Sequence, residues 1–438
     1  MKDAYTAMNG LTRRSFLGAG AVSLPGLQSN RPPNLILILA DDLGYGDLGC
    51  YGSTSNRTPH IDKLASDGVR FTDFHSSGAV CSPTRAGLLT GRYQQRCGIS
   101  EVLTAASHRD KGLDPAEITF PRLLKSAGYR TAIFGKWHLG YQTRFGPRRH
   151  GFDEFRGYVS GNIDYFSHVD QTGRRDWWIG DKLTDEKGYT TELVTRHAVD
   201  FIRRQSGRPF FLYLPHEAVH YPYQGPRGQA LRVPGRKPST TTHEDAGGAF
   251  TEMLAAMDEG VGRVLDQVRL SGIEDDTMIF FCSDNGAPAP GSNGPLRGGK
   301  GTVWEGGHRV PAIGCWPGHI LAGKESFQTS ISLDLMPTLL EAAGVPLPRA
   351  LDGVSLLRHM RSGASLGDRT LFWGHGAQRA MRQGHWKLTL MPEQEPFLAR
   401  LDLDLSEKNN LASKFAPRAG LMSQAIQTWE ADVYAKHN

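Results

Sequence analysis

Four short apolar runs recur along the chain, and each ends in a polar cluster. Residues 35–40 (LILILA) run into Asp41-Asp42 and a glycine-rich turn. Residues 131–134 lead to Gly135, Lys136 and His138; residues 210–214 to His216 and His220; residues 278–282 to Asp284-Asn285-Gly286. None alternates apolar with polar, so each predicts a strand buried on both faces, as in a parallel sheet covered by helices. The segments between them carry helical spacing. "TPHIDKLASDGV" starts on Thr-Pro with Ile61 and Leu64 on one face, and "ITFPRLLKSAGY" stops at Gly128. "TTELVTRHAVDFIRRQ" and "AFTEMLAAMDEGVGRVLDQVRLSG" predict longer amphipathic helices. This alternation predicts an α/β fold with a large, mostly parallel sheet flanked by helices. Ligands in such sheets bind beyond the carboxyl ends of the strands, where all four polar clusters fall.

The pattern changes after about residue 360. "RTLFWGHGAQRAMRQGHWKLTLMP" reads as short strands with a hairpin at Gln383-Gly384, and "PRAGLMSQAIQTWEADVYAKH" as a closing helix. A catalytic domain over residues 31–360 with a small C-terminal antiparallel sheet plus helix over 361–438 is expected. Residues 221–248, rich in Gly, Pro, Thr and basic side chains, predict a long surface loop of functional type.

Composition narrows the class. A chain of 438 residues, 39% hydrophobic, can bury a large core, and its net charge of +5 comes without a basic block interleaved with aromatics. Nucleic acid is therefore a poor partner, while a local anion pocket stays open. No apolar run is long enough for a transmembrane span. Residues 1–30 contain Arg13-Arg14 before Ser15-Phe16-Leu17 and a short Gly/Ala-rich stretch, which resembles a twin-arginine export signal. Periplasmic or secreted localisation is expected, with the twin-arginine export machinery as a partner. The five cysteines lack a CxxC pair, and Cys282 and Cys315 lie in apolar surroundings that predict buried thiols. Disulfides among Cys50, Cys97, Cys282 and Cys315 are left open by spacing alone.

The strand ends carry complementary chemistry. Asp41, Asp42, Asp284 and Asn285 offer hard oxygen ligands, which suit Ca²⁺ or Mg²⁺ better than zinc, with Ca²⁺ favoured for its larger shell. Arg85, Lys136, His138, His220 and Lys300 form a basic counterpart that can grip a tetrahedral oxyanion. The helix opening at Cys81 adds backbone N–H donors. Together these describe metal-assisted hydrolysis of a phosphate or sulfate ester.

The stretch "CSPTRAGLLTGR" (residues 81–92) resembles the type I sulfatase signature, C-x-P-x-R followed by L-T-G-R. "ADDLGYGD", "GKWHLG", "HYP", "SDNG" and "GKGTVWEGGHRVP" agree, and "GYVSGNIDYFSH" is most similar to the arylsulfatase and N-acetylgalactosamine-sulfatase branch. The resemblance implies an alkaline phosphatase-like fold. It implies that Cys81 is oxidised to Cα-formylglycine by a formylglycine-generating enzyme acting on the unfolded chain. The hydrated aldehyde would then attack sulfur, with a cation held by Asp41, Asp42, Asp284, Asn285 and the modified Cys81. In this picture Arg85 stabilises the diol and Lys136 and Lys300 bind sulfate. His220 with Lys300 protonates the leaving alcohol, and His138 helps expel sulfate. Ser160, Asn162 and His375 are expected on the substrate side, with Asp164 and His168 as further candidates; His216 reads as structural, and His308 as a variable position. The implied substrate is an aryl sulfate or a sulfated carbohydrate. The rival readings are a phosphonate or phosphate monoester hydrolase of the same superfamily and an inactive binding protein on this fold.

Overall fold

A computed structural model describes residues 31–205, 207–236 and 245–435. The expected export signal lies outside the described residues, as do residues 237–244 of the expected loop. From Pro32 onward the described chain packs as one unit. Its strands are β1 (Asn34–Ala40), β2 (Val69–Phe71), β3 (Phe74–His75), β4 (Arg130–Lys136), β5 (Glu154–Tyr158), β6 (Trp178–Ile179), β7 (Lys182–Leu183), β8 (Phe210–Pro215), β9 (Thr277–Ser283), β10 (Ala312–Cys315), β11 (Lys324–Ser326) and β12 (Ser330–Ile331). Ten of these form a mixed sheet in the order β11-β2-β10-β9-β1-β8-β4-β5-β6-β7, and β3 pairs separately with β12. The four strands read from the apolar runs are neighbours at its centre, β9-β1-β8-β4, and all three pairings are parallel.

Helices cover both faces, which is why the central runs do not alternate. These are α1 (Pro59–Asp67), α2 (Cys81–Thr90), α3 (Phe120–Ser126), α4 (Thr190–Arg204), α5 (Ala246–Leu270), α6 (Glu305–His308), α7 (Leu335–Ala342) and α8 (Leu357–Ser362). Leu35, Leu37 and Leu39 of β1 join one core with Leu88, Leu124 and Leu339 of α2, α3 and α7. Ile36 and Ile38 face the other way, into a core with Ile61, Phe201 and Met253 of α1, α4 and α5. Each such side chain, wholly buried, contributes roughly 1.5–3 kcal/mol against exposure.

One close approach is set by glycine. Gly135 in β4 has φ +123°, and a Cβ there would stand 2.1 Å from the Pro215 carbonyl oxygen of β8. Gly157, its partner across β5, has φ +146° and would meet the Gly135 oxygen at 2.1 Å. Only glycine fits both positions, and the residue that follows Gly135 is Lys136.

The C-terminal part is a four-stranded antiparallel sheet, β13 (Thr370–His375), β14 (Gln378–Gln383), β15 (Trp386–Leu390) and β16 (Phe397–Arg400), covered by α9 (Ala416–Val433). The hairpin after Gln383 turns at Gly384, φ +56°. The expected boundary at residue 360 falls inside α8, whose Leu357 and Met360 belong to the main core, and the sheet begins ten residues later. The sheet docks through buried charge. Lys387 of β15 lies 3.0 Å from Glu305 of α6 and 3.0 Å from Glu407, with all three side chains fully buried. Arg382 of β14 grips both oxygens of Asp73, at 2.6 and 2.7 Å. His308 belongs to this network, with Nδ1 3.0 Å from His75 Nδ1 and its ring stacked on Trp373.

Residues 221–236 depart from a plain surface loop. Tyr223, Gln224 and Arg232 are buried in it, while Leu231 and Val233 are exposed. All five cysteines are free thiols. Among the described residues, no helix is long and apolar enough to cross a membrane.

Candidate active site

The ends of β1, β9, β8 and β4 and the first turn of α2 converge on one buried cluster. Backbone hydrogen bonds set the strand ends side by side: Asp284 N donates to Ala40 O (3.1 Å) and Asp41 N to Ala218 O (3.0 Å). Asp42 takes φ +62° and His138 φ +55°, left-handed conformations that cost a non-glycine residue of order 1 kcal/mol or more and collect at functional sites.

Cys81 is the first residue of α2, after an extended Val80, and its Sγ lies 3.5 Å from Asp41 Oδ1. One turn on, Arg85 is 1% exposed; its Nε and Nη2 donate to Asp284 Oδ2 at 3.1 and 2.8 Å, and Nη1 donates to the Lys136 carbonyl at 3.1 Å. Lys136 Nζ donates to Asp41 Oδ2, and Lys300 Nζ sits 2.7 Å from the Asp42 carboxylate. Asn285 Nδ2 donates to Asp42 Oδ1 at 2.6 Å, while Asn285 Oδ1 is buried with no donor among the described residues.

Burial and the Asp41 carboxylate push the Cys81 thiol up to about 12, so an unmodified thiol stays protonated near neutral pH. Burial opposes charge on Lys136 and Lys300, but Asp41 and Asp42 respectively outweigh it and hold both ammonium groups above their ordinary range. Burial raises Asp42 as well, yet Lys300 and His220 bring it below its usual value. Burial and the neighbouring Asp41 leave Asp284 raised.

Both histidines are held neutral. Burial, then Lys136 and Arg85, keep His138 well below its ordinary range; burial and Lys300 do the same for His220. Backbone carbonyls assign their tautomers, because a carbonyl only accepts. His220 Nδ1 faces Tyr221 O at 2.6 Å and so carries the proton, leaving Nε2 unprotonated, 3.6 Å from Asp42 Oδ2. His138 Nε2 faces Leu103 O at 2.9 Å, leaving Nδ1 buried and unpartnered among the described residues. Each ring therefore presents one lone pair.

The cluster opens into a cleft of about 100 Å³ whose walls include Cys81, His138, Ser160, Asn162, His220 and Lys300. An anion-binding group of Lys, His and Arg beside paired carboxylates suits an ester of a tetrahedral oxyacid. The sulfatase family model matches residues 33–345. The chain belongs to the sulfatase family. N-acetylgalactosamine-6-sulfatase of Mus musculus is 38% identical over 412 residues, 86% of this chain and 75% of that protein. Arylsulfatase A of Bos taurus is 37% identical over 366 residues, 76% and 68%. The crystal structure of Ps i-CgsB in complex with k-i-k-neocarrahexaose is similar with TM-score 0.83 and 30% identity, covering 91% of this chain and 93% of that one. The protein is a sulfuric ester hydrolase with the alkaline phosphatase-like architecture expected from its sequence.

The residues named from the sequence separate into three groups in this sulfatase. Asp41, Asp42, Cys81, Arg85, Lys136, His138, His220, Asp284, Asn285 and Lys300 meet in the cluster, and Ser160 and Asn162 form the cleft wall. His375, at the end of β13, stands outside that wall, and its Nε2 lies 3.9 Å from the Cβ position of Gly301. Asp164 and His168 are occupied elsewhere: Asp164 Oδ2 accepts from Leu231 N and Arg232 N at 2.6 and 2.9 Å, and His168 stacks on Trp177. His216 is buried, with its Nδ1 unpartnered among the described residues.

Other wall residues carry no mark in the sequence. Leu103 O accepts from His138 Nε2 and from Tyr141 OH (2.6 Å), and Leu103 N donates to Ser82 Oγ (3.1 Å). Ser82 of the signature thus ties down the carbonyl that orients His138. Glu217, 1% exposed, accepts Ile163 N at 2.7 Å and joins the β8 loop to the wall carrying Ser160 and Asn162. "HEAVHYP" contains both Glu217 and Tyr221, but nothing in it separates them from the histidines.

Proposed function

We propose that this sulfatase hydrolyses a sulfate ester of a carbohydrate or aryl alcohol, using a formylglycine made from Cys81 and a divalent cation. The observation that carries the reading is that one helix meets both acidic pairs: Cys81 Sγ is 3.5 Å from Asp41, and Arg85 grips Asp284 at 2.8 Å. The similarity to N-acetylgalactosamine-6-sulfatase and to Ps i-CgsB, crystallised with k-i-k-neocarrahexaose, supports a saccharide.

The donor set fits a hard cation. Asp41, Asp42, Asp284 and the Asn285 amide would offer oxygen ligands, and the buried Asn285 Oδ1 has no donor among the described residues. These residues would hold the ion, Ca²⁺ being favoured, and it would acidify the nucleophile and polarise the sulfate. Formylglycine at position 81 would supply a hydrated aldehyde as nucleophile.

The chain's own side chains divide the remaining work. Lys136 and Lys300 bring positive charge to the sulfate oxygens, and Arg85 holds the Cys81 helix to the β9 end. His138 Nδ1, unpartnered among the described residues, is a proton acceptor in the same cleft wall as Cys81. The charged Lys300 beside Asp42 holds the proton that can go to the departing alcohol, and the His220 Nε2 lone pair beside the same carboxylate can take part in that transfer as an acceptor. We further propose maturation by a formylglycine-generating enzyme and export directed by Arg13-Arg14.

Peptide mass spectrometry of active enzyme, with 4-nitrophenyl sulfate turnover before and after chelation, tests this reading. The expected result is formylglycine at position 81 and activity lost to chelator and restored by Ca²⁺. Fully active protein carrying only the thiol would overturn it. Fractionation of cells carrying Arg13→Lys/Arg14→Lys tests export; undiminished periplasmic activity would count against it.

A further inference from the structure

Asn162 is 1% exposed and its amide forms part of the cleft wall. Its Oδ1 accepts Arg232 Nη2 at 2.7 Å. A guanidinium has donors only, so the amide oxygen must face Arg232 and the NH₂ must turn away from it. No described residue accepts from that NH₂. A donor on a side chain 1% exposed, oriented by Arg232 and unpaired among the described residues, is placed to meet an acceptor on a substrate in the cleft.

Arg232 is itself built in. It is 7% exposed, although its neighbours Leu231 and Val233 are 39% and 51% exposed. Nη1 donates to Val169 O at 3.1 Å, and the backbone N–H groups of Leu231 and Arg232 are clamped by Asp164, which also accepts Gln224 Nε2 at 3.1 Å. The 221–236 segment is therefore fastened to the 160–170 segment by the Asp164 carboxylate, the Arg232 guanidinium and the Gln224 amide, whose Oε1 accepts Tyr165 N at 3.0 Å. The same segment starts at Tyr221, 43% exposed, whose ring stacks on His220 at 4.9 Å and whose hydroxyl accepts Gln171 Nε2 at 2.5 Å. Tyr221 and Gln171 line the cleft together with Asn162. An exposed aromatic face beside an oriented amide donor suits a sugar ring, with its C–H face and oxygen acceptors.

We propose that Arg232 is a positioning residue for leaving-group selection. It locks Asn162 as a hydrogen-bond donor to an uncharged oxygen acceptor, a ring hydroxyl or an N-acyl carbonyl, of a saccharide leaving group seated on Tyr221. The inference rests on the sulfatase reading and deepens it.

The experiment compares kcat/KM for galactose 6-sulfate and N-acetylgalactosamine 6-sulfate with that for 4-nitrophenyl sulfate, in wild type, Asn162→Ala, Arg232→Met and the double variant. Each single variant is expected to lower the sugar-to-aryl ratio at least tenfold. The double variant is expected to fall no further, since Arg232 acts through Asn162. Loss confined to the N-acetylated sugar identifies an acyl carbonyl as the acceptor; loss for both identifies a ring hydroxyl. A purely structural role would lower all three substrates together and leave the ratio unchanged, which would overturn the proposal. If Arg232→Met does not fold by thermal melting, the ratio in Asn162→Ala decides. Wild-type enzyme that cleaves 4-nitrophenyl sulfate but neither sugar sulfate would also overturn it, whereas cleavage of no sulfate would instead break the sulfatase reading.

Discussion

Arg85 places two of its nitrogens on a single oxygen of Asp284, Nε at 3.1 Å and Nη2 at 2.8 Å. Its third nitrogen takes the Lys136 carbonyl at 3.1 Å. One side chain thus joins α2, the end of β9 and the end of β4. Arg85→Lys keeps a charge but cannot reproduce the three contacts. Each lost charge-assisted bond is worth about 1.5–3 kcal/mol. We expect kcat/KM toward an aryl sulfate to fall by two orders of magnitude or more, together with a lowered Tm. Steady-state kinetics beside thermal melting checks this, and unchanged kcat/KM would show that the Arg85 geometry is incidental.

Two buried cysteines should separate chemistry from packing. Cys81 stands in the cluster; Cys282 is fully buried in the core face of β9. Cys81→Ala should abolish turnover in a protein that melts near the wild-type temperature. Cys282→Ala should retain turnover and lose about 1–2 kcal/mol through the cavity it leaves. Chemical denaturation and activity on the same samples distinguish them; equal loss of turnover in two folded variants would contradict the assignment of Cys81.

Lys387 lies between two buried carboxylates. Burial works against the charge of Glu305, but Lys387 holds its carboxyl well below the usual range; burial leaves that of Glu407 raised. Lys387→Met removes the shared cation and leaves Glu305 and Glu407 facing one another in the interior. Breaking a buried pair this way costs about 3–5 kcal/mol. Denaturant unfolding should show that loss, and a change below ~1 kcal/mol would mean that the docked sheet relaxes around the gap.

Acid stability should depend on His150. Burial pulls its imidazole down to about 4 from 6.5, in contact with the Trp137 ring. Below pH 6.5 the unfolded chain binds a proton that the folded protein refuses until about pH 4. The unfolded state gains over that window, so stability present above pH 6.5 is lost as the pH falls toward 4. Tm measured against pH should decline across this range, and His150→Phe should flatten the decline. An identical slope in the variant would remove His150 as a source of the acid sensitivity.

Much of this protein was legible from local pattern. The four non-alternating runs read as doubly buried strands because their neighbours on both faces are helices, and the cores on either side of β1 bear that out. The helices from residues 59, 120, 190 and 246 and the C-terminal antiparallel sheet follow equally from spacing, turn residues and caps. The chemistry was legible where it rides on those strand ends, since a strand's terminus fixes where the next two residues point.

What sequence alone determined is the family and the set of polar side chains that the four central strands carry at their ends. Tertiary structure decided the rest. Asp164 and His168 look like site residues by their neighbourhood, but Asp164 clamps Leu231 and Arg232, more than sixty residues further along the chain, and His168 stacks on Trp177, contacts that only the folded chain creates. Leu103, Tyr141, Glu217 and Arg232 act through backbone groups or through other side chains, and such roles leave no residue-type signal. Which nitrogen of His138 or His220 is free depends on a carbonyl supplied by the folded chain, so only the fold assigns it.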